Sequence, residues 1–199
     1  MASDPMSPEE DSRIGEPVPE IHSIEQKTHG RNVDIGSDEV LLFDNAHRAL
    51  TNGMLSAASK MFEEYLSVYP KGQFAEDALF RRVRIAFRQK DAVGVLYWSD
   101  RFLQSFQKAQ RHRIVEVRIL RARTLIRQSR YDSALDVLAP LRRSLPSESS
   151  RHRHQITALQ FTATCLNGQQ IECQTWVSRY LNTWPNGAFA QQAREYTKK

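Results

Sequence analysis

The residues best placed to do chemistry are four arginines. Arg84 and Arg88 lie four positions apart, and so do Arg123 and Arg127, 39 residues further on. A spacing of i, i+4 puts both members of each pair on one face of a helix. A guanidinium presents a rigid fork of donors that matches a carboxylate or a phosphate. The chemistry on offer is therefore capture of an anion. Phe80 and Phe87 fall close enough along the chain to share that surface. The plainer alternative is a solvated charged face, in a chain where arginine outnumbers lysine 21 to 7.

Signals for catalysis are missing. There is no phosphate loop, no glycine-rich dinucleotide turn and no nucleophile elbow. His152 and His154 sit beside Arg151 and Arg153. Two positions along a helix point them apart, and the neighbouring cations oppose a metal ion. No paired carboxylates converge. The expectation is a non-enzymatic protein with no metal, no cofactor and no small-molecule substrate. Trp98, Trp176 and Trp184 read as core packing rather than a binding platform. Cys165 and Cys173 are too few for a disulfide scaffold. The periodicity below puts them on facing helices of one hairpin, so a bridge is conceivable. The preferred reading is a pair of small buried core residues.

Charge is unevenly placed. The net charge is +5, yet residues 1–40 hold ten acids against three bases, or −7. Eighteen bases against six acids, +12, lie between Arg81 and Arg153. Such a middle section makes nucleic acid the rival partner class, although no recognition-helix or RNA-binding signature accompanies it. No apolar run approaches the roughly 18–20 residues a membrane span needs. The first twenty residues have no apolar core and no basic lead, so no signal peptide is read there. The expected location is cytoplasmic. The alternative is periplasmic or envelope-associated, as part of a longer protein.

The elements that must hold the arginines come from a repeat. Residues 1–40 contain four of the eight prolines, are rich in Ser and Glu, and lack a helical or strand period. They read as an acidic disordered tail, with Ile21–Ile24 able to stick to another surface. Its charge would let it lie across the basic middle, though a solvated leader is the default. From residue 41 the chain matches itself 115 positions later. Asn52-Gly53 falls on Asn167-Gly168, Tyr65-Leu66 on Tyr180-Leu181, and Tyr69-Pro70 on Trp184-Pro185. Gly72 falls on Gly187 and Phe74-Ala75 on Phe189-Ala190. Two more copies lie between, at periods of 37, 39 and 39 residues. Leu55, Ala58, Phe62, Tyr65, Leu66 and Tyr69 share one helix face. Asp91 is placed to cap the helix that carries Trp98. Pro140 predicts a kink or early break near Ala139, and Gly94 weakens its helix.

These units resemble the tetratricopeptide repeat. Ala46, Gly53, Ala58, Phe62 and Pro70 reproduce its pattern in the first unit, and Ala122, Tyr131, Ala134, Leu138 and Pro146 reproduce most of it in the third. The units exceed the family's usual length of about 34 residues. Long units with Tyr-Leu, Tyr-Pro-x-Gly and Ala are similar to the repeats of bacterial cell-envelope tetratricopeptide proteins, including outer-membrane assembly lipoproteins. No lipoprotein cysteine precedes them.

The resemblance implies an all-α, right-handed superhelical solenoid of about four hairpins, near 41–73, 74–110, 111–149 and 150–187, with a cap over 188–199. It also implies that first helices line a concave groove. Arg84, Arg88, Arg123 and Arg127 would then face that groove, with Phe80 and Phe87. The expected function is a protein-interaction scaffold that takes an acidic or extended segment, or a chain-terminal carboxylate, of another protein.

Overall fold

The computed structural model describes residues 35–143 and 150–198. Most of the expected tail, together with Pro146, lies outside them. Among the described residues the chain forms only helices: α1 (Ile35–Thr51), α2 (Leu55–Val68), α3 (Ala75–Arg88), α4 (Ala92–Ser105), α5 (Arg111–Arg127), α6 (Tyr131–Arg143), α7 (Ser150–Leu166), α8 (Gln170–Thr183) and α9 (Ala190–Thr197). The first begins at Ile35, so its opening turns use residues 35–40, which composition had assigned to the tail.

The helices pair as antiparallel hairpins α1–α2, α3–α4, α5–α6 and α7–α8, and each hairpin stacks on the next, with α9 against α8. Beyond chain neighbours, the substantial contacts join α3 to α5, α5 to α7 and α7 to α9. From α3 onward the odd-numbered helices thus form the more closely packed layer of a helical solenoid. The interior follows the period. Ala46, Ala58, Phe62 and Tyr65 in the first hairpin are fully buried, as are Ala122, Ala134 and Leu138 in the third. Alanine at the crossing lets two helices approach, and the large side chain fills the space beside it. Each such large residue contributes about 1.5–3 kcal/mol by leaving water.

All four hairpin turns are the same turn. Gly53, Lys90, Ser129 and Gly168 hold one repeat position, and all four have positive φ, at 75°, 59°, 57° and 74°. In each turn this residue's N–H bonds the carbonyl three back, and the next N–H reaches five back. Gly53 bonds Leu50 and Met54 bonds Ala49, while Ser129 bonds Ile126 and Arg130 bonds Leu125. That is the Schellman ending of a helix. Two of the four sites use a residue that pays for the left-handed conformation.

The joints between hairpins explain the Tyr-Pro-x-Gly match. The Tyr65 hydroxyl accepts from the Phe74 N–H at 3.0 Å, and Tyr180 accepts from the Phe189 N–H at 3.1 Å. A buried hydroxyl thereby satisfies the first exposed donor of α3 and of α9. A Cβ on Gly72 would stand 2.7 Å from the Tyr65 hydroxyl, and one on Gly187 2.6 Å from that of Tyr180. Glycine is needed because the tyrosine passes beneath it. The Tyr65 hydroxyl also donates to Glu39 of α1 at 2.6 Å.

Three local expectations are settled by these packings. Asp91 caps α4 by accepting from the Gly94 N–H at 2.9 Å. Gly94 is not merely weak there, since a Cβ would collide with the Asp91 carboxylate and press on Ala86. Pro140 does not break its helix, because α6 runs on to Arg143. The Arg118 guanidinium of α5 donates to the Val137 carbonyl at 3.1 Å, three residues before the proline. The cysteines also correct the reading of them as separate core residues. Cys165 and Cys173 form a disulfide with Cα atoms 4.7 Å apart. They occupy the repeat positions of Leu50 and Ala58, which face each other across a hairpin, and that separation suits a bridge.

Candidate functional site

Several cations of the basic middle section are spent within the stack. Arg82 is buried on α3, donates to Ser59 and Glu63 of α2, and stacks 4.4 Å from the Trp98 ring centroid. Arg121 occupies the same position on α5, donating to the Leu96 carbonyl and Ser99 and pairing with Asp100 at 3.2 Å. Arg113 bridges α5 to Glu76 and Asp77 of α3. Burial pushes the Arg82 and Arg118 guanidinium groups below the usual arginine range, but arginine remains charged at neutral pH. These cations hold hairpins together and are not free to meet a partner.

The four singled-out arginines behave differently. Arg123 and Arg127 are exposed on α5, and both lie over the Phe87 ring of α3, at 5.1 and 4.8 Å. Arg88 is exposed in the last turn of α3. No ion pair holds any of these three among the described residues. Arg84 is exposed too, but it pairs with Glu116 of α5 at 3.3 Å and lies 5.6 Å from the Phe80 ring. Phe87 is half-buried and presents a surface. Phe80 does not, because only 7% of it is exposed, its ring packs against Phe102, and Arg84 and Arg113 cover it. Its place in the expected site is therefore corrected: it is a core residue beneath the arginines.

Next to Arg123 and Arg127 the odd-numbered layer opens into a cavity of about 400 Å³ between α5, α7 and α9. Ile126, Ala158, Leu159 and Phe189 supply apolar wall, and Gln155, Thr162 and Gln192 supply amides and a hydroxyl. The Gln192 amide donates to the Thr162 hydroxyl at 3.1 Å, tying α9 to α7. The arrangement can receive an anionic group on the two guanidinium forks while an adjacent apolar group enters the cavity. The α7 and α9 walls were not anticipated from the sequence. The signal was there, since one further step of 39 residues from Arg123 lands on Thr162.

The remaining candidates are structural. Trp98 is buried, and Trp176 and Trp184 pack against the core of the last hairpin. His154 lies 4.3 Å from the Trp184 ring, the ring that stands where Tyr69 does in the first unit. No helix among the described residues is long and apolar enough to cross a membrane.

Comparison with known proteins gives one family. The family model YfiO, described as outer membrane lipoprotein, matches residues 37–198. No curated protein matches the chain. The family overturns the cytoplasmic location expected from the N-terminal composition, because it is a family of the outer membrane. The Cys165–Cys173 bridge agrees with that correction, since disulfides persist in oxidising compartments such as the bacterial periplasm.

Proposed function

Because this chain belongs to the YfiO family of outer membrane lipoproteins, we propose that it is a non-enzymatic interaction module of the cell envelope that grips a segment of another protein along its odd-numbered helices. The observation that supports this most directly is the joining of Phe87, Arg123 and Arg127 to the cavity between α5, α7 and α9. Cations already seated on an aromatic ring lose little side-chain freedom when they take a carboxylate. The apolar wall beside them accommodates a large side chain of the same segment. The preferred ligand is an acidic or extended segment, or a chain end whose carboxylate sits on the guanidinium forks. A rigid layer of stacked helices suits such a ligand because it needs no ordering on binding.

The test is capture from an envelope extract by the full chain and by the quadruple variant Arg84→Glu, Arg88→Glu, Arg123→Glu, Arg127→Glu. All four side chains are exposed, so the variant should fold, and its helical signal and melting curve check this. Loss of a captured protein in the variant is the expected result. Equal capture by both forms removes the groove from consideration. Recovery of mainly nucleic acid would also overturn the assignment.

A further inference from the structure

The last hairpin departs from the other three at one crossing. Cys165 and Cys173 hold the positions of Leu50 and Ala58, of Phe87 and Val95, and of Ile126 and Ala134. Apolar packing serves at all three of those crossings, so the repeat itself does not call for a bond there. The bonded hairpin is also the one on which the cavity depends. Leu159 and Thr162 of α7 form one wall, and Phe189 and Gln192 of α9 form another. The Gln192–Thr162 hydrogen bond spans the two walls directly, but α9 packs more closely on α8 than on α7. The Tyr180 hydroxyl of α8 accepts from the Phe189 N–H at 3.1 Å, and the Gln174 amide of α8 donates to the Tyr196 carbonyl at 3.2 Å. Ala158, Phe189 and both cysteines belong to one apolar cluster. The spacing of the walls is thus set by how α8 is fastened to α7, and the Cys165–Cys173 bond fastens it. Cys165 is half-buried, like Phe87 and Ile126 of the same column, whereas Cys173 is 2% exposed. A reagent arriving from solvent therefore meets the Cys165 sulfur first.

We propose that the Cys165–Cys173 bond is a redox latch on the cavity, opened by a dithiol and closed again by exchange with an oxidised dithiol. One thiolate of the dithiol attacks the Cys165 Sγ, a mixed disulfide forms, and the Cys173 sulfur leaves and takes up a proton. The second thiolate of the reagent then displaces the Cys165 sulfur, which is protonated in turn. The dithiol ends as a disulfide and the bond as two thiols. A reduced cysteine is smaller than the Leu50, Phe87 and Ile126 of the other hairpins, so opening leaves this crossing underpacked where theirs are filled. α8 and the α9 wall that hangs from it loosen, and the cavity loses its shape. The effect on a partner rests on the function proposed above, whereas the effect on the walls does not.

The test compares the full chain before and after dithiothreitol, without denaturant. The sequence holds two cysteines, so the reagent has one target. Mass spectrometry after alkylation should find both thiols free while the helical signal persists. Amide hydrogen exchange over α8 and α9 should then rise about fivefold or more, with α1–α4 unchanged. A bond that opens only once urea unfolds the stack overturns the inference, and so does an open bond with unchanged exchange in α9. Cys165→Leu with Cys173→Ala, which installs the pair of the first hairpin, should keep α9 protected and be indifferent to dithiothreitol. In capture from an envelope extract, reduction should lower the yield of the unaltered chain and leave that of this variant as it was. An equal fall in both, or a fall in neither, overturns the latch as a control on binding. Capture that the four-arginine reversal does not change removes the partner site instead, and the exchange result then decides the latch alone.

Discussion

Single residues carry the repeat in two places, the left-handed turn position and the tyrosine joint. At the turn, Lys90 and Ser129 occupy a conformation that costs a side-chain-bearing residue roughly 1–2 kcal/mol. Ser129→Gly and Lys90→Gly should each raise stability in urea titrations by about 0.5–1 kcal/mol, after the greater entropy of unfolded glycine is subtracted. Gly53→Ala should lower it by about 1 kcal/mol through φ alone, because the space around an added Cβ is open. At the joint, burial first and then the hydrogen bond to Glu39 push the Tyr65 hydroxyl well above its ordinary ionisation range. An unfolded tyrosine ionises near pH 10, so above that pH the unfolded chain loses a proton that the folded one keeps. The stabilisation is complete below about pH 10 and drains away as pH climbs toward the folded value. Tyr65→Phe should flatten that alkaline slope in melts between pH 9 and 11. Tyr196, also raised by burial, keeps the remainder. At neutral pH the same change should cost about 1–3 kcal/mol by stranding the Phe74 N–H.

At the scale of elements, periodicity made the helices legible and packing decided their ends. The 115-residue match located the first and last hairpins, because turn residues and the tyrosine–glycine contact are written as local residue types. The start of α1 was not legible, since Ser37, Asp38 and Glu39 look like tail until Glu39 is seen accepting from Tyr65. Pro140 misled because a proline penalty read from local sequence ignores the packing of the hairpin, in which α6 continues to Arg143. The cysteine bridge was half legible, as register put the two residues face to face without stating that they bond. Phe80 was misplaced because it shares a helix face with Arg84 but is covered there by Arg84 itself and by Arg113 of the next hairpin. The bridge closes a loop of eight residues, worth about 2.5 kcal/mol by loop-closure entropy. Cys165→Ser with Cys173→Ser should therefore loosen α7–α8 selectively. Hydrogen exchange should rise there while α1–α4 keep their protection.

For the whole stack, the net charge of the middle section gives a false picture of its surface. Arg81, Arg82, Arg113 and Arg121 are paired with acids of their own or neighbouring helices. The partner site proposed above draws on a short exposed row on α3 and α5, Arg84, Arg88, Arg123 and Arg127. Those cations are exposed and close to water, so capture through them should weaken as salt is raised from 50 to 300 mM, while the hairpin stack itself persists.

The tighter contact among the odd-numbered helices also has a mechanical meaning. A stack joined more closely along one side than the other flexes like a leaf spring clamped on its inner edge. Small changes of bend fan the outer helices while the inner row keeps its spacing. Phe87, Arg123, Arg127 and the α5–α7–α9 cavity sit on that inner row. A load pulling on the ends of the stack would leave the spacing of the proposed gripping residues least disturbed, so the proposed segment would ride with the spring rather than be shaken from it.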